Sequence, residues 1–287
     1  MYYALIMLSV IIFGACFYLK DVYRKLRGNS LKISMQFSAT SSIAGLIVLL
    51  IINGLKFEFT LFTFIMAVLA ALNGFAFTFC SFKALGSINL SLYSLFSMLG
   101  GMALPFVQGI VFYREEITLA KCICFTLILL ALLLTVEKGE RKNGTVYYIG
   151  IFVLNGLSGV FSKIFTSAPF PKTSAAGYSI LTALCSIVIS LTCLLFFFRK
   201  NKKESRFSAL SELVSAFSGI ANRLANFILV IALMHVDSSV QYPMVTGGVI
   251  IVSTIICFFG KNKPSKKEIL SVIVAFIGML TLFIIPV

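Results

Sequence analysis

The sequence is a nearly unbroken series of apolar stretches, each about as long as a membrane-spanning helix. A helix needs roughly 20 apolar residues to cross about 30 Å of hydrocarbon. Ten stretches meet this requirement, at 2–20, 32–53, 59–82, 87–112, 117–136, 146–168, 174–198, 207–233, 237–259 and 267–286. Little chain is left between them for a soluble domain. We therefore predict an all-α integral membrane protein with ten transmembrane helices.

The composition favours the same class. Of the 287 residues, 59% are hydrophobic and 12% are charged, whereas a soluble domain carries roughly 25% charged residues. A globule of this size cannot bury so many apolar side chains, so much of its surface must face lipid. No basic segment precedes the first stretch and no small-residue cleavage site follows it. We therefore expect an uncleaved first span and not a signal peptide.

The net charge of +14 comes from basic residues clustered between the apolar stretches. Eighteen of the 24 Lys and Arg residues follow the odd-numbered spans, beginning with Lys20, Arg24 and Lys25 after the first. The positive-inside rule places these loops in the cytoplasm and both termini outside. We expect an integral protein of the bacterial plasma membrane that contacts anionic lipid, with no nucleic-acid partner.

A polar segment at 137–145 divides the chain into two parts, 1–136 and 146–287, with five predicted spans each. A unit with an odd number of spans must insert its second copy in the opposite orientation. The sequence therefore predicts two inverted five-helix repeats joined by a polar linker. Inverted repeats are typical of transporters that alternate access around a site at the membrane midplane.

Sequence similarity between the two parts supports the repeat. Sliding the chain by 147 residues brings Gly100-Gly101 onto Gly247-Gly248, near the middle of the fourth and ninth spans. A weaker match between the first and sixth spans aligns Lys20 with Lys163. The common order of these matches indicates duplication.

Polar side chains recur inside the predicted spans, where they tend to face the bundle interior or a wet cavity. The candidates for a substrate cavity are Asn73, Tyr93, Ser94, Asn155, Asn222, Arg223, Asn226, Gln241 and Tyr242. An alternative is that small and hydroxyl residues only join neighbouring helices. The tyrosines could equally belong to the interfacial belt. The sequence leaves these alternatives open.

Arg223 lies near the middle of its span, where an unpaired Arg costs about 2.5–3.5 kcal/mol on insertion scales. No Asp or Glu occurs at mid-depth in any other predicted span. Backbone carbonyls, Asn side chains or a ligand must therefore satisfy it, and a carboxylate or phosphate would suit it. A purely structural role at helix-end carbonyls is the alternative. Without a central carboxylate, facilitated diffusion or exchange is favoured over proton coupling.

Residues for catalysis or metal binding are sparse. The seven cysteines lie in apolar stretches without a CxxC pair, and His235 is the only histidine. We predict no metal, no cofactor and no enzyme activity, which disfavours an intramembrane lipid-modifying enzyme. We expect a secondary transporter for a small polar metabolite. A non-transporting membrane subunit or a lipid flippase component is the alternative, and a homodimer is left open.

Two segments resemble the drug/metabolite transporter superfamily, in its ten-span EamA-like branch: PFVQGIVFYREEIT at Pro105–Thr118 and YPMVTGGVIIVSTIICFFGKNKPS at Tyr242–Ser265. The pairs Ala84-Leu85 and Ala232-Leu233 resemble its end-of-span signature, and the resemblance extends over essentially the whole chain. It implies a central cavity formed mainly by spans 1, 3, 4, 6, 8 and 9, with spans 5 and 10 peripheral. The substrates of the superfamily range over amino acids, amines, sugars and drugs, so no substrate follows.

The family's loop glutamate matches Glu115 in the first half. The second half departs from that pattern, with Lys261 or Asn262 at the corresponding position. The resemblance therefore implies no symmetric role for this acidic residue.

Overall fold

A computed structural model describes residues 2–88, 90–135, 145–198, 208–259 and 264–285, and within these ranges the chain forms ten α-helices and no strand. The helices are α1 (Tyr2–Arg27), α2 (Leu31–Ile52), α3 (Leu61–Leu85), α4 (Leu90–Tyr113), α5 (Leu119–Thr135), α6 (Thr145–Ser167), α7 (Ala175–Phe198), α8 (Ala209–Leu233), α9 (Ser238–Phe259) and α10 (Lys266–Ile284).

Eight of the helices in the described ranges, α1–α4 and α6–α9, are long and apolar enough to cross a membrane. Their outward sides carry large exposed apolar residues such as Phe112 and Leu195, as a lipid-facing surface requires. The chain is therefore an α-helical integral membrane protein. The apolar parts of α5 and α10, Leu119–Ala131 and Ile269–Gly278, are shorter, so the structure supports eight of the ten predicted spans.

Nine helices begin and end within three residues of the predicted bounds, and α1 is the exception because it continues seven residues further, to Arg27. Asp21 forms ion pairs with Arg24 and Lys25 one turn ahead, which favours continuation of the helix. Gly28 then ends it with a φ of 100°. The assignment of Lys20 to a loop was therefore wrong: Lys20 lies within the helix and is buried.

The helices of the first half pack mainly against those of the second. Helix α1 contacts α8 and α9, α2 contacts α7 and α8, α3 contacts α6 and α7, and α4 contacts α6 and α9. Helix α5 packs against α10 at the edge of the bundle. Exchanging each helix with its counterpart in the other half, α1 with α6 through α5 with α10, reproduces the same set of contacts. This is the pattern expected of two halves related by a two-fold axis.

Glycines allow the closest of these approaches. A Cβ at Gly100 would collide with the backbone of Phe152, where α4 crosses α6. A Cβ at Gly219 would collide with the backbone of Ser41, where α8 crosses α2. Small residues at such crossings let helix backbones approach within a membrane, and here they bring the two halves together around a central space.

Candidate functional site

A cavity of about 260 Å³ lies inside the bundle. This volume has room for several waters or a small solute. Helices α1–α4 and α6–α9 line it, and α5 and α10 contribute none of its described lining residues. The family resemblance named six lining helices. The structure adds α2 and α7, because these two helices pack across the halves against α8 and α3.

The cavity wall is rich in hydroxyl and amide groups. Those from α2, α6, α7 and α8 are Ser38, Ser41, Ser42, Asn155, Ser158, Ser162, Tyr178, Ser179, Thr182, Ser186, Ser218, Asn222 and Asn226. Two cationic side chains, Lys20 and Arg223, also line the wall. No carboxylate from the described residues does so. The wall therefore offers hydrogen-bond donors and positive charge to whatever occupies the cavity.

Arg223 extends from α8 towards α2 and α7. Its Nη2 donates hydrogen bonds to Ser42 Oγ at 3.3 Å and to Ser186 Oγ at 3.0 Å. Both acceptors are neutral hydroxyls, and no carboxylate in the described ranges lies within ion-pair distance of the guanidinium. Gly45 leaves space for this side chain, since a Cβ there would collide with Arg223 Cγ. The guanidinium is held in place without being neutralised.

Lys20 is a charged cavity residue that the sequence prediction missed. Its exposed fraction is 8%, and its Nζ lies 4.8 Å from the centre of the Phe77 ring, a favourable cation–π distance. The helical period could have indicated this position. Phe13, Phe17 and Lys20 are spaced by four and three residues, so they share one face of α1, and all three line the cavity. The prediction ended the span at Lys20 and counted this residue with the first cytoplasmic loop.

Five of the nine predicted site residues line the cavity, namely Asn155, Asn222, Arg223, Asn226 and Tyr242. Asn155 Nδ2 donates to the carbonyl of Ser97 on α4 at 2.7 Å. Tyr242 Oη donates to the carbonyl of Gly159 on α6 at 3.0 Å. Asn226 Nδ2 donates to the backbone and side-chain oxygens of Asn222 one turn earlier. These bonds orient the polar groups around the space that they enclose.

The other four predicted residues lie outside the cavity lining and join helices. Asn73 Nδ2 donates at 2.8 Å to the carbonyl of Leu154 and to Ser158 Oγ, linking α3 to α6. Tyr93 Oη donates to Ser81 Oγ. Ser94 Oγ lies 2.6 Å from Ser253 Oγ, between α4 and α9, and Gln241 Nε2 donates to the carbonyl of Leu229. For Asn73, Ser94 and Gln241 the structure shows the helix-joining arrangement that the sequence had left as an alternative. Tyr93, for which the alternative was the interfacial belt, is fully buried.

Outside the cavity, Glu115 links three helices at one end of the bundle. It lies just after α4, beyond Arg114, whose φ of 51° turns the chain back. Its carboxylate accepts hydrogen bonds from Lys163 Nζ at 2.6 Å, Ser238 Oγ at 2.6 Å and the Ser239 N–H at 3.0 Å. The serines open α9, so the carboxylate caps that helix where its dipole is positive. The loop after α4 is thereby attached to α6 and α9.

The environment of Glu115 keeps it ionised. Burial by itself would raise the pKa of this carboxyl, but hydrogen bonds from Lys163, Ser238 and Ser239 outweigh burial and lower the pKa from 4.5 to about 2. The carboxylate therefore remains charged throughout the physiological pH range. A second ion pair nearby, Lys121 Nζ to Asp237 Oδ2 at 3.6 Å, connects α5 to the segment before α9.

Within the described ranges, no group of three His, Cys, Asp or Glu side chains comes together in a way that could hold a metal ion. The seven cysteines are free thiols. The polar groups that line the cavity are neutral or cationic among the described residues.

Comparisons with known proteins relate this chain to others by fold. No protein-family model matches the chain, and no curated protein matches it. Solved structures do match: a crystal structure of a protein superposes with a TM-score of 0.71 over 98% of this chain and 98% of its own, at 15% sequence identity. At this identity the likeness shows that the two chains share a fold over their whole lengths.

Proposed function

We propose that the protein is a secondary transporter that moves a small polar metabolite by alternating access. The observation that carries this proposal is the cavity of about 260 Å³, walled by hydroxyl, amide and cationic side chains inside a bundle of membrane helices. Polar groups at that depth are costly unless they serve a hydrated site or a ligand. Concave sites with a few convergent polar groups are typical of small-molecule binding.

The proposal includes two inverted five-helix repeats, 1–136 and 146–287, with ten spans in total. Equivalent helices of the two halves make equivalent contacts, which supports such a repeat. Both halves also contribute lining residues, such as Lys20 from the first and Arg223 from the second. A site shared between inverted repeats is the arrangement in which one half can rock against the other.

We further propose that the chain is a member of the drug/metabolite transporter superfamily in the bacterial plasma membrane, with its basic loops in the cytoplasm and both termini outside. The clustering of Lys and Arg after the odd-numbered spans supports this orientation. In this orientation Glu115 and Lys163 lie at the extracytoplasmic end, and Lys20 lies towards the cytoplasm.

A reconstituted system tests the proposal. Proteoliposomes containing the full chain are loaded with a mixture of cellular metabolites, and mass spectrometry identifies the solutes that exchange across the membrane. The test variant is Thr182→Phe, which places a ring in the cavity, and the control is Thr126→Phe on α5. Both threonines donate their hydroxyl to the carbonyl four residues earlier, but Thr182 lines the cavity and Thr126 is exposed.

We expect exchange of at least one solute, its loss in Thr182→Phe and its retention in Thr126→Phe. Equal exchange in both variants would show that solute does not pass through the cavity. Absence of exchange by the unaltered chain would favour a non-transporting subunit. Movement of labelled lipid between leaflets instead of solute would favour a flippase component.

A further inference from the structure

The two cations of the cavity come from opposite halves of the chain, and neither has a carboxylate partner among the described residues. Six carboxylates have described side chains, and none lines the cavity. Glu116 is exposed. The remaining five are engaged elsewhere: Asp21 with Arg24 and Lys25, Glu58 with Ser174, Glu115 with Lys163, Glu212 with Thr40, and Asp237 with Lys121.

Lys20, which has no ion pair with any described carboxylate, contrasts with Lys163. Each is the nineteenth residue of its helix, α1 or α6, so the two occupy equivalent places in the two halves. Lys163 pairs with Glu115, in the loop after α4. The corresponding loop after α9 is the segment 260–265, which contains no Asp or Glu in its sequence. In the proposed repeat the lysine therefore recurs in both halves, whereas the loop that supplies its acidic partner in the first half has no acidic residue at the corresponding place in the second.

A buried cation without a counterion is costly, and a charge-assisted hydrogen bond to an anion removes much of that cost. Lys20 exposes only 8% of its surface and contacts the Phe77 ring. In the described part of the chain, Arg223 donates only through Nη2, which leaves its other N–H groups for a ligand. Together the two side chains offer about two positive charges to one small space.

We propose that the transported solute is a small dianion whose charge lies on phosphate or carboxylate oxygens, bound by Lys20 and Arg223 together. This inference rests on the proposed transport function and names the substrate class of the same cavity. The hydroxyl and amide groups of the remaining wall would bind the uncharged part of the solute. Because Lys20 belongs to the first half and Arg223 to the second, the bound anion connects the two halves across the cavity.

The experiment measures binding first, without flux. The full chain is purified in detergent, and its Tm is followed at constant ionic strength against glycerol 3-phosphate, succinate and their uncharged counterparts glycerol and succinamide. A ligand that binds the folded state raises the Tm in a saturable manner. We expect stabilisation by at least one dianion and none by the uncharged counterparts.

Variants then test the two cations separately. Lys20→Gln and Arg223→Gln should each raise the Kd of the stabilising dianion by about tenfold to a hundredfold, as expected for the loss of one charge-assisted hydrogen bond. Lys20→Arg and Arg223→Lys keep the charge and should retain part of the affinity even if the glutamine variants fold poorly. Lys25→Gln, on the same helix as Lys20 but with a side chain 57% exposed, should bind as the unaltered chain does.

The outcomes separate the anion site from the transport function. No stabilisation by either dianion, or an unchanged Kd in Lys20→Gln, would overturn the anion proposal. Flux of uncharged solutes that dianions do not inhibit would also overturn it and leave the transporter intact. Dianion binding without flux of any solute would keep the site and remove the transport function. Stabilisation by phosphatidic acid vesicles alone would point to a lipid ligand and overturn the proposed solute.

Discussion

Glu115 accepts a hydrogen bond of 2.6 Å from Lys163, and the side chains of this ion pair are only 6% and 10% exposed. Glu115 belongs to the first half of the chain and Lys163 to the second. With the bonds from Ser238 and Ser239, the pair connects three helices at one end of the bundle. In the proposed orientation this is the extracytoplasmic end, so these contacts stabilise a conformation in which that end is held together.

Replacement of this carboxylate should weaken the bundle. In Glu115→Gln the Lys163 ammonium loses its anion and α9 loses its charged cap. Breaking a buried ion pair by removing one partner costs about 3–5 kcal/mol, so we expect a clear decrease in the Tm in detergent. Glu116→Gln is the matched control, because Glu116 is exposed, and its Tm should stay unchanged. Equal Tm values for the two variants would contradict the role assigned to the pair.

The same carboxylate predicts an acid dependence. The folded state holds the pKa of Glu115 at about 2, below its ordinary value of 4.5. Its contribution to stability is therefore fully present above pH 4.5 and is lost as the pH falls from about 4.5 to about 2. The shift corresponds to about 3 kcal/mol. We expect the Tm difference between the unaltered chain and Glu115→Gln to shrink over this range; a constant difference would contradict the lowered pKa.

Gly45 should be required for the position of Arg223. A methyl group at Gly45 would collide with Arg223 Cγ and would lie 3.0 Å from the Gly219 carbonyl. Gly45→Ala should therefore destabilise the protein by about 1–3 kcal/mol, the cost of overpacking. At Gly74, also within a helix, an added Cβ meets nothing within 4 Å, so Gly74→Ala should stabilise it by about 0.5–1 kcal/mol through helix propensity. In thermal unfolding, the Tm should therefore fall in Gly45→Ala and rise in Gly74→Ala.

Asn73 and Asn222 should respond differently to the same change. Asn73 joins α3 to α6 outside the cavity, so Asn73→Leu should cost about 1–3 kcal/mol of stability by removing its two hydrogen bonds to α6. It should leave solute exchange by the folded protein largely intact. Asn222 lines the cavity, and Asn222→Leu should reduce exchange with a smaller effect on the Tm. Measuring the Tm and the solute exchange of both variants tests this assignment of roles. An equal decrease of exchange in the two variants would contradict it.

The helices could be predicted closely because the length of an apolar stretch is a local property of the chain. The bounds of nine of the ten helices needed no tertiary information, since hydrocarbon thickness sets span length. The error in α1 arose where this local rule ends. Asp21 and the basic residues after it form ion pairs along the helix, so helical structure continues beyond the apolar stretch.

The site was harder to predict because a polar side chain on a membrane helix can either bond to a neighbouring helix or line a cavity. Asn73 and Asn155 both donate to a backbone carbonyl on a neighbouring helix, yet only Asn155 also lines the cavity. Both are asparagines near the middle of a helix. What separates them is the rotation of each helix about its axis, which is set by packing against the other half.

By itself, the sequence determined that this chain is a bundle of apolar helices in a membrane, because hydrophobicity and length act residue by residue along the chain. Only the tertiary structure decided which polar groups share a cavity, since Lys20 and Arg223 are distant in sequence and meet the same space through the packing of α1 and α8. It also decided which cations are neutralised. That depends on where a carboxylate lies in three dimensions, as Glu115 does for Lys163.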